Sequence, residues 1–240
     1  MRQTMPVGST TRYPVLELAR RQETLASLVS REDLLPPGKV RLVAGGDVTF
    51  LPSRGARAWG LACFAFFRLP ELELVSLSFA EGEVRFPYLP GYLSFRELPL
   101  LLEAARRAPL RAEVYLLDAQ GIAHPRGLGL ASHFGVVMGV PSVGCAKSRL
   151  FGHPERLPAP GEAVSLLHPE GGVIGAVIRP GGGKRCLYVS PGHRVSVEGS
   201  LGLVRRLLRF SLPEPTRVAH LLLRERVKSG AFLPLKRDLS

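Results

Sequence analysis

Apolar and polar residues alternate along the first half of the chain in a way that predicts three consecutive strands. Residues 40–50 and 58–69 are dense in apolar side chains, and residues 73–79 alternate apolar with polar positions. Short runs of this kind, joined by short turns, are typical of a β-meander. The segment 12–32 before them carries leucines among charged residues and favours a surface helix.

Helices and strands alternate after this meander. A helical period is present at residues 95–107 and again at 130–139, and apolar strands are expected at 112–117 and 140–146. Strand–helix–strand alternation after a meander predicts an α/β fold with a mixed sheet and helices packed on it.

The last third of the chain is predicted to add a loop, a hairpin and two helices. They are the loop 151–163, the hairpin strands 173–179 and 184–190, a basic amphipathic helix at 197–209 and a final helix capped by Thr216 that ends before Gly230. The chain has the length of one large domain or two small ones, and we expect one domain over residues 1–240 with a core at about 12–230.

The charge balance of the chain indicates a polyanionic partner. Lys and Arg number 32 against 20 Asp and Glu, which gives a formal net charge of +12, and 27 of the basic residues are Arg. Arginine binds phosphate through a planar fork, so nucleic acid is the first expected partner. A high arginine content set by genome composition or heat tolerance is the alternative.

Cysteine usage and hydropathy bear on the compartment. Cys63, Cys145 and Cys186 are widely spaced in apolar surroundings and are expected to be buried free thiols in a reducing environment. The sequence has no apolar run of about 18 residues and no visible apolar signal segment near residue 1. We therefore expect a cytoplasmic protein with no membrane partner, and a monomer.

A stiff loop is predicted at residues 86–97, around which the candidate chemistry is arranged. Pro87 and Pro90 fix their own backbone angles and push the preceding residues to extended conformations. A rigid loop tipped with Tyr88 and Leu89 could act as a wedge between stacked bases. Gly91 allows a backbone to approach a ligand closely.

Glu97 has two interpretations. Ser94 could cap a helix, with Glu97 three residues later completing a capping box. Glu97 could instead project from the first helical turn towards the sheet and take part in catalysis.

Two further acids stand on predicted strands. Asp47 interrupts an apolar strand, and Asp118 lies at the end of another. If the two strands are neighbours, the carboxylates meet, and a divalent metal would relieve their repulsion. With Glu97 the three acids would serve phosphodiester hydrolysis by holding metals, which polarise the phosphate, lower the pKa of a bound water and steady the leaving oxygen. Structural carboxylates are the alternative.

Other polar residues are open to both functional and structural interpretations. Lys147 follows a buried strand and could contact phosphate, balance the acids, or simply be exposed. Gly121 permits close backbone approach, and His124 could contact substrate or lie in a solvated loop. His133 lies among apolar residues and is expected to be a packed core histidine.

The assembled motifs closely resemble the endonuclease V family, which cuts nucleic acid at deaminated adenine (inosine). The resemblance spans about residues 12–230, and its most specific part is the Pro-Tyr-Leu-Pro-Gly-Tyr-Leu-Ser-Phe-Arg-Glu run at 87–97. The other matching segments are 44–48, 118–126, 127–133, 144–148, 188–194 and 212–220.

This resemblance implies a ribonuclease H-like fold with a mixed five-stranded central sheet flanked by helices on both faces. It also implies Mg²⁺, with Mn²⁺ able to substitute, held by Asp47, Glu97 and Asp118. His220 would stand near the metal, and Lys147 near the scissile phosphate.

The resemblance also implies how a lesion is read and where the strand is cut. Residues 87–90 (Pro87, Tyr88, Leu89, Pro90) would fill the gap left by a flipped base, and hypoxanthine would be read by backbone groups near Gly91, Leu93 and Gly121. The second phosphodiester bond 3′ to the lesion would be cut, leaving 3′-hydroxyl and 5′-phosphate ends. The implied role is DNA repair on inosine-containing DNA, with RNA as a further substrate.

Three positions depart from the family pattern. Ala119 stands where the family usually has Gly, and this bears on lesion preference or rate. Gly46 and Cys145 replace a branched apolar residue and a Val, and they are interpreted as packing variation. Two other functions stay open: a lesion-binding protein with little or no catalysis, and another ribonuclease H-like nuclease such as a junction resolvase.

Overall fold

The computed structural model describes residues 14–51, 58–182 and 185–230. Five α-helices are present within these ranges. They are α1 (Val15–Ala26), α2 (Leu93–Arg107), α3 (Leu130–Met138), α4 (Val197–Leu207) and α5 (Glu214–Ser229).

Nine strands form one sheet within the described residues. They are β1 (Leu42–Phe50), β2 (Ala58–Arg68), β3 (Glu73–Val84), β4 (Val114–Leu117), β5 (Ser142–Ala146), β6 (His153–Pro154), β7 (Ala163–Leu167), β8 (Val173–Ile178) and β9 (Leu187–His193). Two further two-residue strands, β10 (Leu208–Arg209) and β11 (Leu212–Pro213), form a separate hairpin.

The strand order in the sheet is β3-β2-β1-β4-β5-β9-β8-β7-β6. Strands β1, β2 and β3 are antiparallel neighbours, as the meander prediction required. Strand β4 then lies parallel to β1, and β5 parallel to β4, so the sheet is mixed. Strand β1, which carries Asp47, therefore lies beside β4, which ends one residue before Asp118.

Helices cover both faces of the sheet, which confirms the predicted fold class. On one face α2 and α3 bury Leu101 and Phe134 against an aromatic cluster that includes Phe64. On the other face α4 and α5 bury Leu203 and Leu223 against the opposite side of the same strands. The alternation of side chains along β1 and β2 supplies both cores, because successive residues point to opposite faces.

The sheet extends further than the resemblance implied. Nine strands are present instead of five, because β9, β8, β7 and β6 continue the sheet beyond β5. The segment 151–163, predicted to be a loop, contains the short strand β6. Strand β7 was not predicted; it is five residues long, and only Val164 and Leu166 are buried.

Two predicted helix caps are wrong. Helix α2 begins at Leu93 after Tyr92, so Ser94 lies inside the helix and contacts His133 through its hydroxyl. Helix α5 begins at Glu214, and the Thr216 hydroxyl donates to the Pro213 carbonyl within the first turn. The early start of α5 follows from Pro215, since a proline in the first turn lacks only an N–H that would have no helical partner.

The cysteines and the helices give two further observations. The thiols of Cys63, Cys145 and Cys186 are free, the first two fully buried and Cys186 half-buried. None of the helices in the described ranges combines the length and the apolar character needed to span a membrane.

Candidate active site

Asp47 and Asp118 are brought together by the parallel pairing of β1 and β4. Gly46 pairs with Leu117 in the register of β1 and β4, and the Asp118 N–H donates to the Gly46 carbonyl at 3.2 Å. Asp47 and Asp118 are therefore each the residue that directly follows a member of this pair. The prediction that their strands are neighbours is confirmed.

Glycines on β1 allow close packing on both faces of this strand. A Cβ at Gly45 would lie 2.0 Å from the main-chain carbon of Pro215, so α5 rests directly on the strand. A Cβ at Gly46 would lie 2.4 Å from the Phe64 ring, so the ring packs directly against the backbone of this strand. Gly46 is thus explained by packing, as predicted.

The close approach of α5 places His220 at the site. Its Nδ1 lies 2.8 Å from Oδ2 of Asp47, and the other carboxylate oxygen of Asp47 accepts the Val48 N–H at 2.8 Å. Burial and the carboxylate of Asp118 raise the pKa of Asp47, while the hydrogen bond with His220 lowers it.

Lys147 follows β5, the strand next to β4, and its ammonium forms an ion pair with Oδ2 of Asp118. The lysine side chain is 43% exposed, whereas that of Asp118 is mostly buried. Among the interpretations given to this lysine, the counter-charge to the acids is therefore the one that the geometry matches. Its remaining N–H groups stay available to a phosphate.

Glu97 lies in the first turns of α2 and is electrostatically part of the same group. Burial raises its pKa to about 8, and the charges of Asp47 and Asp118 add to that rise against the guanidinium of Arg96. Since Ser94 is not a helix cap, the capping-box interpretation of Glu97 fails. When ionised, Glu97 adds to the excess of negative charge around the two aspartates.

The donor set fits a divalent cation. One ligand atom each from Asp47, Asp118 and His220 lie within 4.8 Å of one another. Glu97 does not belong to that set, although its carboxylate is close enough to feel both aspartates. Carboxylate oxygens are the ligands that Mg²⁺ and Mn²⁺ prefer, and a cation would offset charges that burial otherwise penalises.

The predicted wedge, residues 87–90, leads into a tight turn at residues 89–92. The Tyr92 N–H donates to the Leu89 carbonyl at 3.0 Å, and Gly91 between them has φ 78°. Pro90 followed by a glycine in this conformation gives a type II turn, because proline suits its first central position and glycine its second. The turn carries Tyr88 into solvent, where 68% of that residue is exposed.

A cluster of three side chains, called here the Gly91 clamp (Gln22, His124 and Arg126), holds the turn. The Gly91 carbonyl accepts from Gln22 Nε2 at 3.1 Å, His124 Nε2 at 3.0 Å and Arg126 Nη2 at 2.8 Å. Arg126 also donates to Gln22 Oε1 at 2.6 Å and stacks on the Tyr92 ring. The clamp fixes the wedge relative to α1 and to the 118–126 segment.

The neutral form of His124 suits this arrangement. Its Nδ1 accepts the Arg126 N–H at 3.2 Å, so the proton belongs on Nε2, which donates to Gly91. Burial lowers the pKa of His124 to about 4, with Arg126 acting in the same direction. His124 thus contacts the turn, and its contact with substrate stays a prediction.

The sequence analysis missed Gln22. It is 1% exposed, although it lies on an otherwise solvated helix. The available signal was its spacing: Gln22 falls four residues after Leu18 and three before Leu25, on the stripe that faces inward. A polar residue in such a stripe needs a buried partner.

An apolar cavity opens beside the wedge, with a volume of about 120 Å³. Its walls include Leu89, Gly91 and Leu93 from the wedge side and Ala119 and His124 from the opposite side. The Ala119 methyl therefore faces the cavity.

Gly121 stands apart from the walls of this cavity. Its N–H donates to the Ser190 hydroxyl at 2.8 Å, and its carbonyl accepts the Gly129 N–H at 2.9 Å. A Cβ there would lie 1.9 Å from the Pro191 carbonyl oxygen. Close backbone approach is thus observed at Gly121, but towards β9.

Comparison with known proteins places these features in a family. A profile of the Endonuclease V family matches residues 23–221. The endonuclease V of Thermus thermophilus is 54% identical over 151 residues, which cover 61% of this chain and 66% of that protein, slightly under two thirds of its length.

Solved structures agree with the sequence match. The catalytic domain of human endonuclease V superposes with a TM-score of 0.83 at 32% identity, covering 94% of this chain and 100% of its own. The endonuclease V of Ciona intestinalis, solved with a 24-mer DNA that contains an inosine followed by a ribo-adenosine, superposes with a TM-score of 0.80 at 26% identity; the match covers 90% of this chain and 98% of that one.

Proposed function

This chain belongs to the endonuclease V family, and from that premise we propose that it is a metal-dependent endonuclease for inosine-containing nucleic acid. It hydrolyses the second phosphodiester bond 3′ to the lesion and leaves 3′-hydroxyl and 5′-phosphate ends. The observation that carries the proposal is the convergence of Asp47, Asp118 and His220 within 4.8 Å of one another. The inosine-containing DNA held by the Ciona relative supports the choice of substrate.

Asp47 and Asp118 would hold the cation, Mg²⁺ or in its place Mn²⁺, with His220 as the third donor of the 4.8 Å set and Glu97 as the further carboxylate expected at the cation. A divalent cation there supplies Lewis-acid stabilisation of the charge that develops on the phosphate. His220 orients the Asp47 carboxylate through their 2.8 Å contact. Lys147 binds a phosphate oxygen with the N–H groups that its pair with Asp118 leaves available.

Lesion recognition belongs to the wedge and the cavity behind it. Tyr88 and Leu89 enter the base stack, while the extruded hypoxanthine occupies the apolar cavity next to Gly91 and Leu93. Backbone groups near Gly91 and Leu93, which line the cavity, read the base edge. The Gly91 clamp supports this role, because a rigid turn loses little freedom on binding.

The wider context follows from this activity. The protein acts in DNA repair on inosine-containing DNA, with RNA as a further substrate, and the +12 net charge suits either polyanion. The continuous family match over 23–221 supports a single nuclease domain. A monomer in the cytoplasm is part of the same proposal, and the free thiols suit a reducing compartment.

The deciding experiment measures nicking of an inosine-containing duplex in Mg²⁺ by the wild type and by Asp47→Ala, with an adenine-containing duplex as control. Only the wild type is expected to cut, and only the inosine duplex. If both proteins cut the inosine duplex equally, the assignment of Asp47 to the active site is refuted. Tight inosine-dependent binding without any product would favour the lesion-binding alternative, for which Ala119 in the cavity wall is the physical reason.

A further inference from the structure

Phe210 occupies an unusual place at the tip of the β10–β11 hairpin. Arg209 pairs with Leu212 across this hairpin, so Phe210 and Ser211 form its two-residue loop. Phe210 has φ 57° and is 80% exposed to solvent. A bulky aromatic residue therefore sits in a left-handed backbone conformation with most of its surface in water.

Neither turn chemistry nor core packing accounts for phenylalanine here. Two-residue hairpin loops that need positive φ favour Gly, Asn and Asp, because these residues adopt it with little or no steric cost. Burial could compensate such a cost, but the ring is open to solvent. Strained residues that persist without such compensation are characteristic of functional sites.

The hairpin leads directly into α5, the helix that carries His220. The guanidinium of Arg217 lies 5.3 Å from the centre of the Phe210 ring. Residues three apart on a helix share a face, so Arg217 stands one turn before His220 on the side of the candidate active site. The ring thus contacts the same helix that carries His220, at a residue one turn before it.

The surroundings of the ring are basic. Arg209, which precedes Phe210 in the chain, is exposed, and so is Arg224, which lies further along α5 beyond His220. Arg217 is held by a bidentate contact with Glu214 at 2.6 Å, which presents its guanidinium to the ring. An exposed aromatic face set among arginines is the combination that binds single-stranded nucleic acid.

We propose that Phe210 is a stacking platform for an unpaired base of the bound strand, separate from the wedge. The proposal rests on the proposed function, since it takes the bound polymer to be nucleic acid. The ring accepts any base, because every base has a π-face, and Arg217 supports the ring from the protein side. Phe210 therefore adds affinity for single-stranded segments next to the cut and leaves inosine selection to the wedge.

The first test is binding of a labelled single-stranded inosine oligonucleotide in EDTA, followed by fluorescence anisotropy. Phe210→Ala should weaken binding by about 5- to 100-fold, and Phe210→Trp should bind like the wild type. Leu157→Ala is the matched control, because Leu157 is 83% exposed in the segment between β6 and β7, away from the site. Phe210→Ala binding within twofold of wild type, or Phe210→Trp binding as weakly as Phe210→Ala, overturns the proposal.

A second test locates the stacked base. An abasic nucleotide is moved one position at a time along the oligonucleotide, once with the wild type and once with Phe210→Ala. At one position the abasic nucleotide should weaken binding to the wild type but not to Phe210→Ala, because the variant already lacks the ring on which that base stacks. Costs that are the same in both proteins at every position contradict the platform.

Stability separates this role from a structural one. Phe210→Asn should raise Tm, since asparagine tolerates positive φ, and it should weaken binding at the same time. If Phe210 had a structural role, Phe210→Asn would lower Tm instead, and that result refutes the proposal. Wild-type nicking of the inosine duplex is followed in parallel: its absence alone refutes the proposed function, whereas loss of the abasic coupling alone refutes the platform.

Discussion

His220 and Asp47 are 173 residues apart in the chain, yet Nδ1 of the imidazole lies 2.8 Å from Oδ2 of the carboxylate. The contact exists because Gly45 lets the first turn of α5 rest on β1 without an intervening side chain. A histidine aligned in this way fixes the carboxylate whose second oxygen is already held by the Val48 N–H. The site is therefore preorganised by strand–helix packing before any ion or substrate binds.

Divalent metal should stabilise the wild-type protein against heat. At 100 times the Kd, ligand binding contributes about 2.7 kcal/mol, which corresponds to roughly 5–10 °C in Tm for a chain of this size. Asp47→Asn should lose most of this shift, and Glu73→Gln, on an exposed ion pair with Arg68, should keep it. Differential scanning fluorimetry with Mn²⁺ or Mg²⁺ measures the shift, and equal shifts in all three proteins would contradict the metal assignment.

Asp118→Asn should separate binding from cutting. The amide keeps the shape of the side chain and can still accept from Lys147, but it removes a negative charge from the candidate metal site. We expect inosine-dependent binding within a few-fold of wild type and a loss of nicking of at least about 100-fold. Electrophoretic mobility shifts and nicking rates on one labelled duplex give both quantities. A variant that cuts at the wild-type rate would exclude Asp118 from the chemistry.

The sequence was sufficient for the centre of the fold and for part of the site. Asp47 and Asp118 could be singled out because a carboxylate in an apolar strand or at its end is costly to bury. Their adjacency was only a possibility at that point, because β2, β3 and α2 separate β1 from β4 in the chain. Sequence reasoning from spacing alone did not reach His220, which entered through the family resemblance. Its position depends on a helix docking at Gly45, a contact between distant parts of the chain.

Local rules failed where tertiary contacts took over. Ser94 has the residue type and spacing of a helix cap, but its hydroxyl lies 3.0 Å from Nδ1 of buried His133. Gln22 seemed an ordinary surface residue until the fold buried it against Gly91 and Arg126. Strand β7 is short and half-buried, so its pattern was too weak to separate from the loop before it.

The wedge should matter for duplex and little for single strands. Tyr88→Ala should slow nicking of an inosine duplex by about 10- to 100-fold, because the side chain no longer offsets the unstacking of the flipped base. The same variant should cut a single-stranded inosine oligonucleotide at close to the wild-type rate. Tyr88→Phe is the matched control and should act like the wild type on both substrates. Equal losses on duplex and single strand would show that Tyr88 is not a wedge.

The Gly91 clamp should contribute to stability and to wedge function together. Gln22→Leu removes a donor to Gly91 and the acceptor of Arg126, so buried polar groups lose their partner at a cost of about 1–3 kcal/mol. Thermal unfolding should show a Tm lower by several degrees, and nicking should fall more on duplex than on single strands. Glu23→Ala, on the exposed side of the same helix, is the control. A Gln22→Leu protein with unchanged Tm would rule out the clamp.

Acid should destabilise the fold through two buried histidines. Burial lowers the pKa of His124 and of His133 to about 4 each, against about 6.5 in an unfolded chain. Between these values the unfolded state binds the proton and the folded state does not, so the free energy of unfolding falls as the pH drops from about 6.5 to 4. Below about pH 4 the histidines cause no further loss of stability. Each histidine accounts for up to about 3 kcal/mol of that loss.

The test compares slopes, because substitution also lowers stability at neutral pH. His133→Gln should lose less free energy of unfolding between pH 6.5 and 4 than the wild type does, by up to about 3 kcal/mol. His153→Gln, at an exposed position on β6, should keep the wild-type slope. Urea titrations at a series of pH values give these free energies. Parallel pH profiles for the wild type and His133→Gln would mean that His133 binds its proton equally well in the folded and unfolded states, and would contradict the lowered pKa of a buried His133.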